Sequence, residues 1–269
     1  LIKNIFKSSI LLTIFTAYFM KTTHMHFEKE YKVLNLIEKK RPLILDVGAH
    51  TGESITNFLK YNPSCKIISF EPLKKYCDLI KKKFKNNKNI KIINRLVSST
   101  KANLTVFVPI LLNYEYTAAS SLSLVYLKRR IKHAFPSIPS SKWKFKKYTA
   151  TSITIDSLKL QPDLIKVDAE GWEYNVILSA KKTIKSNKPV LFIEYHHHNY
   201  QKIKKELNKK NYIPYILNNN TFVKIDNYLE KKIAHEVHLR NIIFFPNKLT
   251  SKFQNGGKSS RSSIISKGL

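Results

Sequence analysis

A buried strand followed at once by a glycine turn is the feature that most restricts the fold of this chain. Residues 43–52 have the sequence L-I-L-D-V-G-A-H-T-G. The apolar run predicts a strand buried on both faces, and the glycines at 48 and 52 enclose a tight turn into a helix. A second apolar run, 67–70, ends in Glu71. This succession indicates a parallel sheet with a nucleoside-binding crevice.

The residues of the turn indicate which nucleoside it suits. Glu71, at the tip of the second strand, is expected to accept hydrogen bonds from ribose hydroxyls. The turn departs from the dinucleotide pattern G-x-G-x-x-G, because position 50 is His and position 53 is Glu, and this disfavours a nicotinamide-dependent oxidoreductase. Acids at 46 and 53 suit a cationic cofactor such as S-adenosylmethionine better than a pyrophosphate. The alternative is an ordinary strand, turn and helix without a cofactor.

The charge of the chain is high but is made almost entirely of lysine. Its formal net charge is +30, from 42 Lys and 6 Arg against 18 acidic residues. Arg is the residue that recognises phosphates and bases bidentately, whereas a Lys-rich chain is equally expected from AT-biased coding. Nucleic acid is therefore not an expected partner, and binding to another anionic surface is the alternative. The only two cysteines, Cys65 and Cys77, lack metal-ligand spacing and indicate a reducing, cytoplasmic compartment.

Three regions are predicted along the chain: an N-terminal extension over 1–26, a main domain over 27–247 and a disordered basic tail over 248–269. Lys3 and Lys7 precede a mostly apolar stretch that is short for a membrane span and has no cleavage site after it. An uncleaved signal anchor, a helix lying on the membrane surface and a docking helix all remain open. Weak membrane association through residues 1–20 is thus one alternative.

Helical and strand patterns alternate in the main domain and predict parallel β-α-β units. Apolar residues at 31, 34 and 37 predict a helix over 27–40 that covers the sheet. Residues 110–148 interrupt the alternation with prolines, serines, aromatics and cations, and predict a lid-like or substrate-binding insertion. A peripheral helical hairpin without contact to the chemistry is the alternative.

Acidic residues stand at the carboxyl ends of four predicted strands: Asp46, Glu71, Asp168 and Glu194. Because ligands bind outside the carboxyl ends of the strands in such sheets, the four side chains are expected around one crevice. Asp168 has the alternative role of capping the helix that follows it. Glu194 has the alternative role of a buried structural partner for a lysine.

Four short blocks follow one another along the chain: D-V-G-A at 46–49, F-E-P at 70–72, I-K-V-D-A-E-G-x-E at 165–173 and I-E at 193–194. In this order and spacing they resemble the FkbM-type S-adenosylmethionine-dependent methyltransferases. The third block is the most specific, and the resemblance covers roughly residues 40–246. Position 50, commonly Asn in the family, is His here; both residues tolerate left-handed backbone angles, so the turn is expected to persist.

The resemblance implies the α/β fold of class I methyltransferases, a Rossmann-like, seven-stranded and mostly parallel sheet between helices with its last strand antiparallel. It also implies S-adenosylmethionine as cofactor and O-methylation of a hydroxyl on a sugar, glycan or small metabolite. In our hypothesis the turn and Asp46 hold the amino-acid tail of the cofactor, and Glu71 holds its ribose. The candidate cofactor-binding residues are Asp46, Gly48, Ala49, His50, Gly52, Glu71 and Pro72. The alternative is a non-catalytic protein of this fold whose basic surface binds nucleic acid or an anionic membrane.

Methylation of a hydroxyl requires in-line positioning and the removal of a proton. Asp168, His196 and Glu194 are the candidate catalytic residues, and Asp168 and His196 are expected to face the acceptor as base or orienter. The His triplet at 196–198 also raises a metal hypothesis, but neighbours on a strand point to opposite faces. We expect no metal and one functional His with two bystanders; a divalent site of Asp168, Glu194 and His196 is the alternative.

Overall fold

The computed structural model describes residues 28–233 and 240–254. Its strands are β1 (Leu43–Val47), β2 (Lys66–Phe70), β3 (Ile90–Ile93), β4 (Leu96–Val97), β5 (Asn103–Leu111), β6 (Tyr114–Glu115), β7 (Lys144–Ile153), β8 (Leu164–Val167), β9 (Val190–Glu194), β10 (Tyr212–Asn218), β11 (Thr221–Lys224) and β12 (Asn241–Pro246). Its α-helices are α1 (Glu53–Tyr61), α2 (Lys74–Lys83), α3 (Leu124–Ala134), α4 (Glu173–Ser179), α5 (Lys181–Asn187), α6 (His197–Asn208), α7 (Asn227–Ile233) and α8 (Asn247–Gln254). Short 3₁₀ helices lie at Lys29–Leu36, Thr117–Ala119, Ser140–Lys142 and Ile155–Leu158.

The central sheet has the order β11-β10-β12-β9-β8-β1-β2-β3. Five neighbouring strands run parallel to one another: β9, β8, β1, β2 and β3. Strand β12 is antiparallel to both of its neighbours, β9 and β10. The predicted seven-stranded, mostly parallel sheet with an antiparallel last strand is therefore confirmed. An eighth strand, β11, extends it as a hairpin with β10, which the sequence analysis did not predict.

The apolar run of β1 lies inside this sheet, between β8 and β2, and both of its faces are covered. Leu45 pairs in parallel register with Ile68 on one side and with Ile165 on the other. Ile44 and Leu45 are both fully buried and belong to two different hydrophobic clusters. Successive side chains of a strand point to opposite faces, so the two clusters cover the two sides of the sheet.

The N-terminal covering element differs from the helix predicted over 27–40. A 3₁₀ helix forms at Lys29–Leu36 and buries Tyr31 and Leu34. The ring of Tyr31 packs edge-on against Phe58 and Phe192, with ring centroids 4.7 and 4.9 Å apart. The predicted apolar contacts of this segment therefore form, but on a tighter helix that is shorter at both ends.

The insertion predicted at 110–148 consists of strands and one α-helix and is not a helical hairpin. It continues β5, includes β6 and α3, and returns along β7, so that a second sheet of order β4-β7-β5-β6 stands beside the first. Leu111, Leu127, Ile131, Ile138 and Trp143 form a small hydrophobic core of its own. The interruption of the β-α alternation thus reflects a small packed subdomain.

The C-terminal tail predicted to be disordered from residue 248 begins as helix α8, and its remainder beyond 254 lies outside the described residues. The predicted N-terminal extension, including the apolar stretch proposed for membrane association, also lies outside them. Among residues 28–233 and 240–254, no helix is long and apolar enough to cross a membrane. Cys65 and Cys77 are both free and buried.

Candidate active site

The first glycine of the turn is required by a neighbouring loop. Gly48 has a φ of 87°, and a Cβ placed on it would lie 1.8 Å from the backbone oxygen of Asp168. The amide of Gly48 donates to the carbonyl of Phe70 at 3.0 Å. Glycine at this position therefore lets the loops after β1 and β8 meet.

Replacement of Gly48 by Ala is expected to lower the free energy of unfolding by roughly 2–5 kcal/mol, as the sum of a left-handed backbone penalty and steric overlap. Urea denaturation measures this loss. Gly52→Ala is the matched control: its φ of 80° imposes the same backbone penalty, but its Cβ would meet only side chains, those of Phe84 at 3.0 Å and Ile80 at 3.4 Å. Equal losses in the two variants would contradict the proposed contact between the loops.

The other turn residues lie close around Gly48. Gly52 is the N-cap residue of α1 and donates its amide to the carbonyl of Ala49 at 2.7 Å. Ala49 is buried, and its amide shares the Phe70 carbonyl with Gly48. Pro72 accepts a hydrogen bond from the Asn94 side chain at its carbonyl oxygen. These backbone contacts fix the turn.

His50 has a φ of 43°, so the prediction that a left-handed His preserves the turn is confirmed. Its amide donates to Glu71 Oε2 at 3.0 Å, and its Nε2 lies 3.1 Å from Thr117 Oγ1 in the insertion. The His50 ring packs at a tilt of 40° against Tyr76, with ring centroids 4.2 Å apart, and the Tyr76 hydroxyl also contacts Thr117. His50 thus connects the turn to the insertion.

Glu71 lies at the carboxyl end of β2, as predicted, and only 5% of it is exposed. Its Oε2 accepts from the His50 amide and its Oε1 from the Leu73 amide, at 3.0 and 2.9 Å. Burial raises the pKa of Glu71 to about 7 although the two amides favour its charged form. The carboxylate is therefore held in place, and each oxygen retains a lone pair for a further donor.

Asp46 is fully buried, so its carboxylate is an interior group of the site. Its Oδ2 accepts from Ser54 at 2.8 Å and from Ser69 at 2.9 Å. Its Oδ1 has no hydrogen-bond partner among the described residues and lies 4.0 Å from the ammonium of Lys166. Burial raises the pKa of Asp46, and Lys166 and the two serines oppose that rise.

Lys166, a residue that the sequence analysis did not select, lies between two acids. Its Nζ donates to Asp168 Oδ2 at 3.0 Å, and only 5% of its side chain is exposed. Burial alone would lower the pKa of Lys166, but Asp168 and Asp46 raise it well above the usual value. Lys166 lies in the buried strand β8, and a charged residue within an otherwise apolar strand is the signal that could have identified it from the sequence.

Asp168, Glu194 and His196 come together at the carboxyl ends of β8 and β9. Glu194 Oε2 lies 2.7 Å from His196 Nε2. Burial and the neighbouring Asp168 raise the pKa of Glu194 to about 7. Burial would also raise the pKa of Asp168, but Lys166 and a hydrogen bond with Glu194 lower it. Asp168 therefore ionises first, and Glu194 carries a proton only below its own pKa of about 7.

The side chain of Asp168 is 38% exposed, whereas that of Glu194 is 23% exposed. Helix α4 begins after Trp172, and its N-terminus has no side-chain cap. The alternative role of Asp168 as a helix cap is therefore wrong. The predicted gathering of Asp168, Glu194 and His196 is found, and Lys166 is the lysine partner of Asp168 rather than of Glu194.

The two other acids of the 165–173 block brace the turn after β8. Glu173 is fully buried and accepts from the amides of Ala169 and Gly171 and from the side chain of Asn199. Glu170 has a φ of 49° and forms an ion pair with Arg130 of α3. The insertion therefore touches the site, and its contact residue Arg130 was missed because no local pattern relates it to β8.

The His triplet does not lie on a strand, so the alternation of faces that we expected does not apply. His196 precedes α6, whereas His197 and His198 lie exposed in its first turn. His196 contacts Glu194, and the ring of His198 lies 5.9 Å from that of His196 between centroids. Glu170, Glu194 and His196 each place one ligand atom within 4.8 Å of the others, a grouping in which Glu170 replaces the Asp168 of our alternative.

Comparison with known proteins identifies the family. Residues 46–235 match the family model of the FkbM methyltransferase domain. A search of curated proteins finds no match. The solved structures similar to this chain include an FkbM methyltransferase from Methylobacillus flagellatus, with 14% identity, a TM-score of 0.49, and 87% of this chain and 54% of that chain covered.

Two further structures show the same general likeness. An S-adenosylmethionine-dependent O-methyltransferase from Thermotoga maritima is 12% identical, with a TM-score of 0.42, and 81% of this chain and 63% of that chain are covered. An O-methyltransferase from Bacillus cereus, solved with S-adenosylhomocysteine, is 11% identical, with a TM-score of 0.38 and coverages of 81% and 79%. The present chain spans about half of the Methylobacillus flagellatus protein. The match of the domain model over most of the chain establishes that this protein belongs to the FkbM methyltransferase family.

Proposed function

We propose that this protein transfers a methyl group from S-adenosylmethionine to a hydroxyl group of a sugar, a glycan or a small metabolite. The observation that supports this proposal best is the Asp168–Glu194–His196 cluster beside the glycine turn. A hydroxyl must lose a proton when it is methylated, and a carboxyl with a pKa near 7 is suited to accept it. The acceptor class is the one that the family resemblance implies.

The residues of the turn fit a cationic nucleoside cofactor. Buried Asp46 Oδ1 lacks a hydrogen bond among the described residues, which leaves negative potential at the turn. Glu71 presents a fixed carboxylate at the carboxyl end of the adjacent strand, where doubly wound folds hold a ribose. Gly48 and its neighbours would hold the amino-acid tail, and Glu71 the ribose. The cofactor would supply the electrophilic methyl carbon.

The catalytic roles follow from charge and exposure. Lys166 keeps Asp168 ionised, so Asp168 orients the acceptor hydroxyl by accepting its hydrogen bond. Glu194 has the higher pKa of the pair and takes the proton as general base. His196 holds Glu194 Oε2 and is an orienter in this assignment. Most of the rate enhancement is then expected from positioning, since methyl transfer needs in-line attack.

Replacement of Glu71 by Gln is expected to weaken binding of S-adenosylhomocysteine about 10–150-fold, the range for losing hydrogen bonds to a charged group. Because the pKa of Glu71 is about 7, wild-type affinity should also rise as the pH increases through 7 and the carboxylate forms. Calorimetry at several pH values measures both effects. Glu206→Gln in α6, which removes the acid of the Glu206–Lys210 pair, is the control and should bind like the wild type. Unchanged affinity in Glu71→Gln would exclude Glu71 from the ribose site.

The proposal as a whole is tested by two measurements on the full chain. Calorimetry with S-adenosylmethionine, S-adenosylhomocysteine and NAD should show binding of the two sulfur nucleosides alone. A screen of acceptors with methyl-labelled cofactor should then transfer label to hydroxyl compounds. A folded protein that binds neither sulfur nucleoside would overturn the proposal and favour the non-catalytic alternative. Binding of the cofactor with label found only on nitrogen or carbon would overturn the O-methylation.

A further inference from the structure

The insertion places one of its tyrosines directly against His196, the residue that holds the proposed base. The hydroxyl of Tyr126, in the first turn of α3, lies 3.0 Å from His196 Nδ1. His196 Nε2 lies in turn 2.7 Å from Glu194 Oε2. Tyr126, His196 and Glu194 therefore form a continuous chain of hydrogen bonds that begins in the insertion and ends at the proposed base.

The position of Tyr126 is fixed from several sides. The N-cap Ser123 accepts from the Tyr126 amide at 3.2 Å, which orients the first turn of α3. Ser121 donates from its Oγ to the carbonyl of Glu170 at 2.8 Å. The Tyr126 ring lies so close to Gly171 that a Cβ there would stand 2.8 Å from it. One turn further along α3, Arg130 pairs with Glu170.

This arrangement determines the hydrogen-bond directions in the neutral imidazole. An ionised Glu194 can only accept, so His196 Nε2 carries the proton and donates it. His196 Nδ1 is then an acceptor, and the hydroxyl of Tyr126 donates to it. Both ring nitrogens are thus engaged by the protein. His196 has no nitrogen left to take a proton directly from an acceptor molecule, which supports its role as an orienter.

Charged and titratable groups face His196 from every side. They are Glu194 on the preceding strand, Glu173 of α4 at 3.6 Å, Tyr126 and Arg130 of α3, His198 of α6 with ring centroids 5.9 Å apart, and Asp168 and Glu170 after β8. A ring in such surroundings can turn toward more than one partner. The Tyr126 hydroxyl is the neutral donor that holds Nδ1 in one orientation.

We propose that Tyr126 is a positioning residue for methyl transfer, which fixes the tautomer and orientation of His196 and, through it, the Glu194 carboxylate. The role rests on the proposed function, because it acts on the base of that reaction. The phenol itself does not become a base: burial raises its pKa well above the usual value. The insertion thereby completes the catalytic geometry of the main sheet.

Tyr126→Phe tests this role, since it removes the hydroxyl and keeps the ring that covers Gly171. At saturating cofactor, kcat is expected to fall roughly three- to tenfold, the range for one neutral hydrogen bond, with KM for S-adenosylmethionine unchanged. The matched control is Tyr116→Phe in the same insertion, because the Tyr116 hydroxyl is buried without a hydrogen-bond partner among the described residues. This control should retain wild-type kcat.

A second measurement needs no acceptor molecule. Nitrogen NMR of ¹⁵N-histidine-labelled protein, at a pH where His196 is neutral, should show a protonated Nε2 and a hydrogen-bonded Nδ1. In Tyr126→Phe the Nδ1 signal should move to that of a nitrogen without a donor, while Tyr116→Phe leaves it in place. His196→Gln assigns the signals.

The outcomes separate this inference from the proposed function. An Nδ1 signal unchanged by Tyr126→Phe would overturn the inference even where wild-type methyl transfer is intact. A shifted signal with unaltered kcat would also overturn it, since the contact would then have no catalytic effect. Failure of the wild type to bind either sulfur nucleoside would instead reject the proposed function, and this inference with it.

Discussion

Replacement of Glu194 by Gln is expected to lower kcat about 10²–10⁴-fold, the range for loss of a positioned general base. Gln retains the shape of the side chain and a hydrogen-bond acceptor for His196, but it cannot take a proton from the acceptor hydroxyl. The measurement is single-turnover transfer of labelled methyl at saturating cofactor, with cofactor affinity checked by calorimetry. Affinity should remain within a few-fold of the wild type, because Glu194 lies outside the proposed cofactor site.

The pH dependence gives this prediction its direction. A base works only when it is deprotonated, and the pKa of Glu194 is about 7, so wild-type kcat should rise as the pH increases through 7 and then level off. Saturating cofactor is needed because Glu71 titrates in the same range and acts on binding. In Glu194→Gln this rise of kcat with pH should be absent. Glu206→Gln, which removes the acid of the Glu206–Lys210 pair, is the control and should keep the wild-type profile. A wild-type kcat that does not change across this range would contradict the assignment.

Replacement of Lys166 by Met is expected to lower the free energy of unfolding by about 3–5 kcal/mol, the cost of leaving a buried charge without its partner. The ammonium of Lys166 lies 4.0 Å from fully buried Asp46 and donates to Asp168, so Met removes this cation from both acids. Denaturant unfolding at neutral pH measures the loss. Since protonated acids no longer need the cation, the loss should shrink as the pH is lowered.

Lys39→Met is the matched control for this experiment. Lys39 pairs with Asp163 at 2.9 Å, almost the same distance as the Lys166–Asp168 pair, but 56% of its side chain is exposed. Solvent screens such a pair, and its removal should cost about 1 kcal/mol or less. Similar losses in the two variants would show that burial of Lys166 does not matter, and the proposed charge balance of the site would be wrong.

Much of the site was predictable because its residues follow a local rule. Asp46, Glu71, Asp168 and Glu194 all stand at carboxyl ends of strands, and parallel strands bring those ends to one edge of the sheet. The left-handed backbone at His50 also followed from its residue type and its place in a glycine turn. Such signals lie within a few residues of each other, so sequence alone reveals them.

Other features depended on contacts that no local pattern records. Gly48 is a glycine because the Asp168 backbone, 120 residues later, approaches it. Tyr126 and Arg130 of the insertion contact His196 and Glu170. The sequence of the insertion does not indicate which of its aromatic and cationic side chains point toward the site. The 3₁₀ form of the N-terminal segment likewise reflects the packing of Tyr31 between two phenylalanine rings.

The sequence by itself determined the parallel sheet, the glycine turn and the acids at the strand ends, because backbone geometry and the spacing of apolar residues are local properties. Only the tertiary structure decided how the negative charge is distributed among those acids. Lys166 between Asp46 and Asp168 keeps Asp168 charged, and the burial of Glu194 beside Asp168 raises its pKa toward 7. Charge and burial at a point depend on every element that packs there, and those elements come from distant parts of the chain.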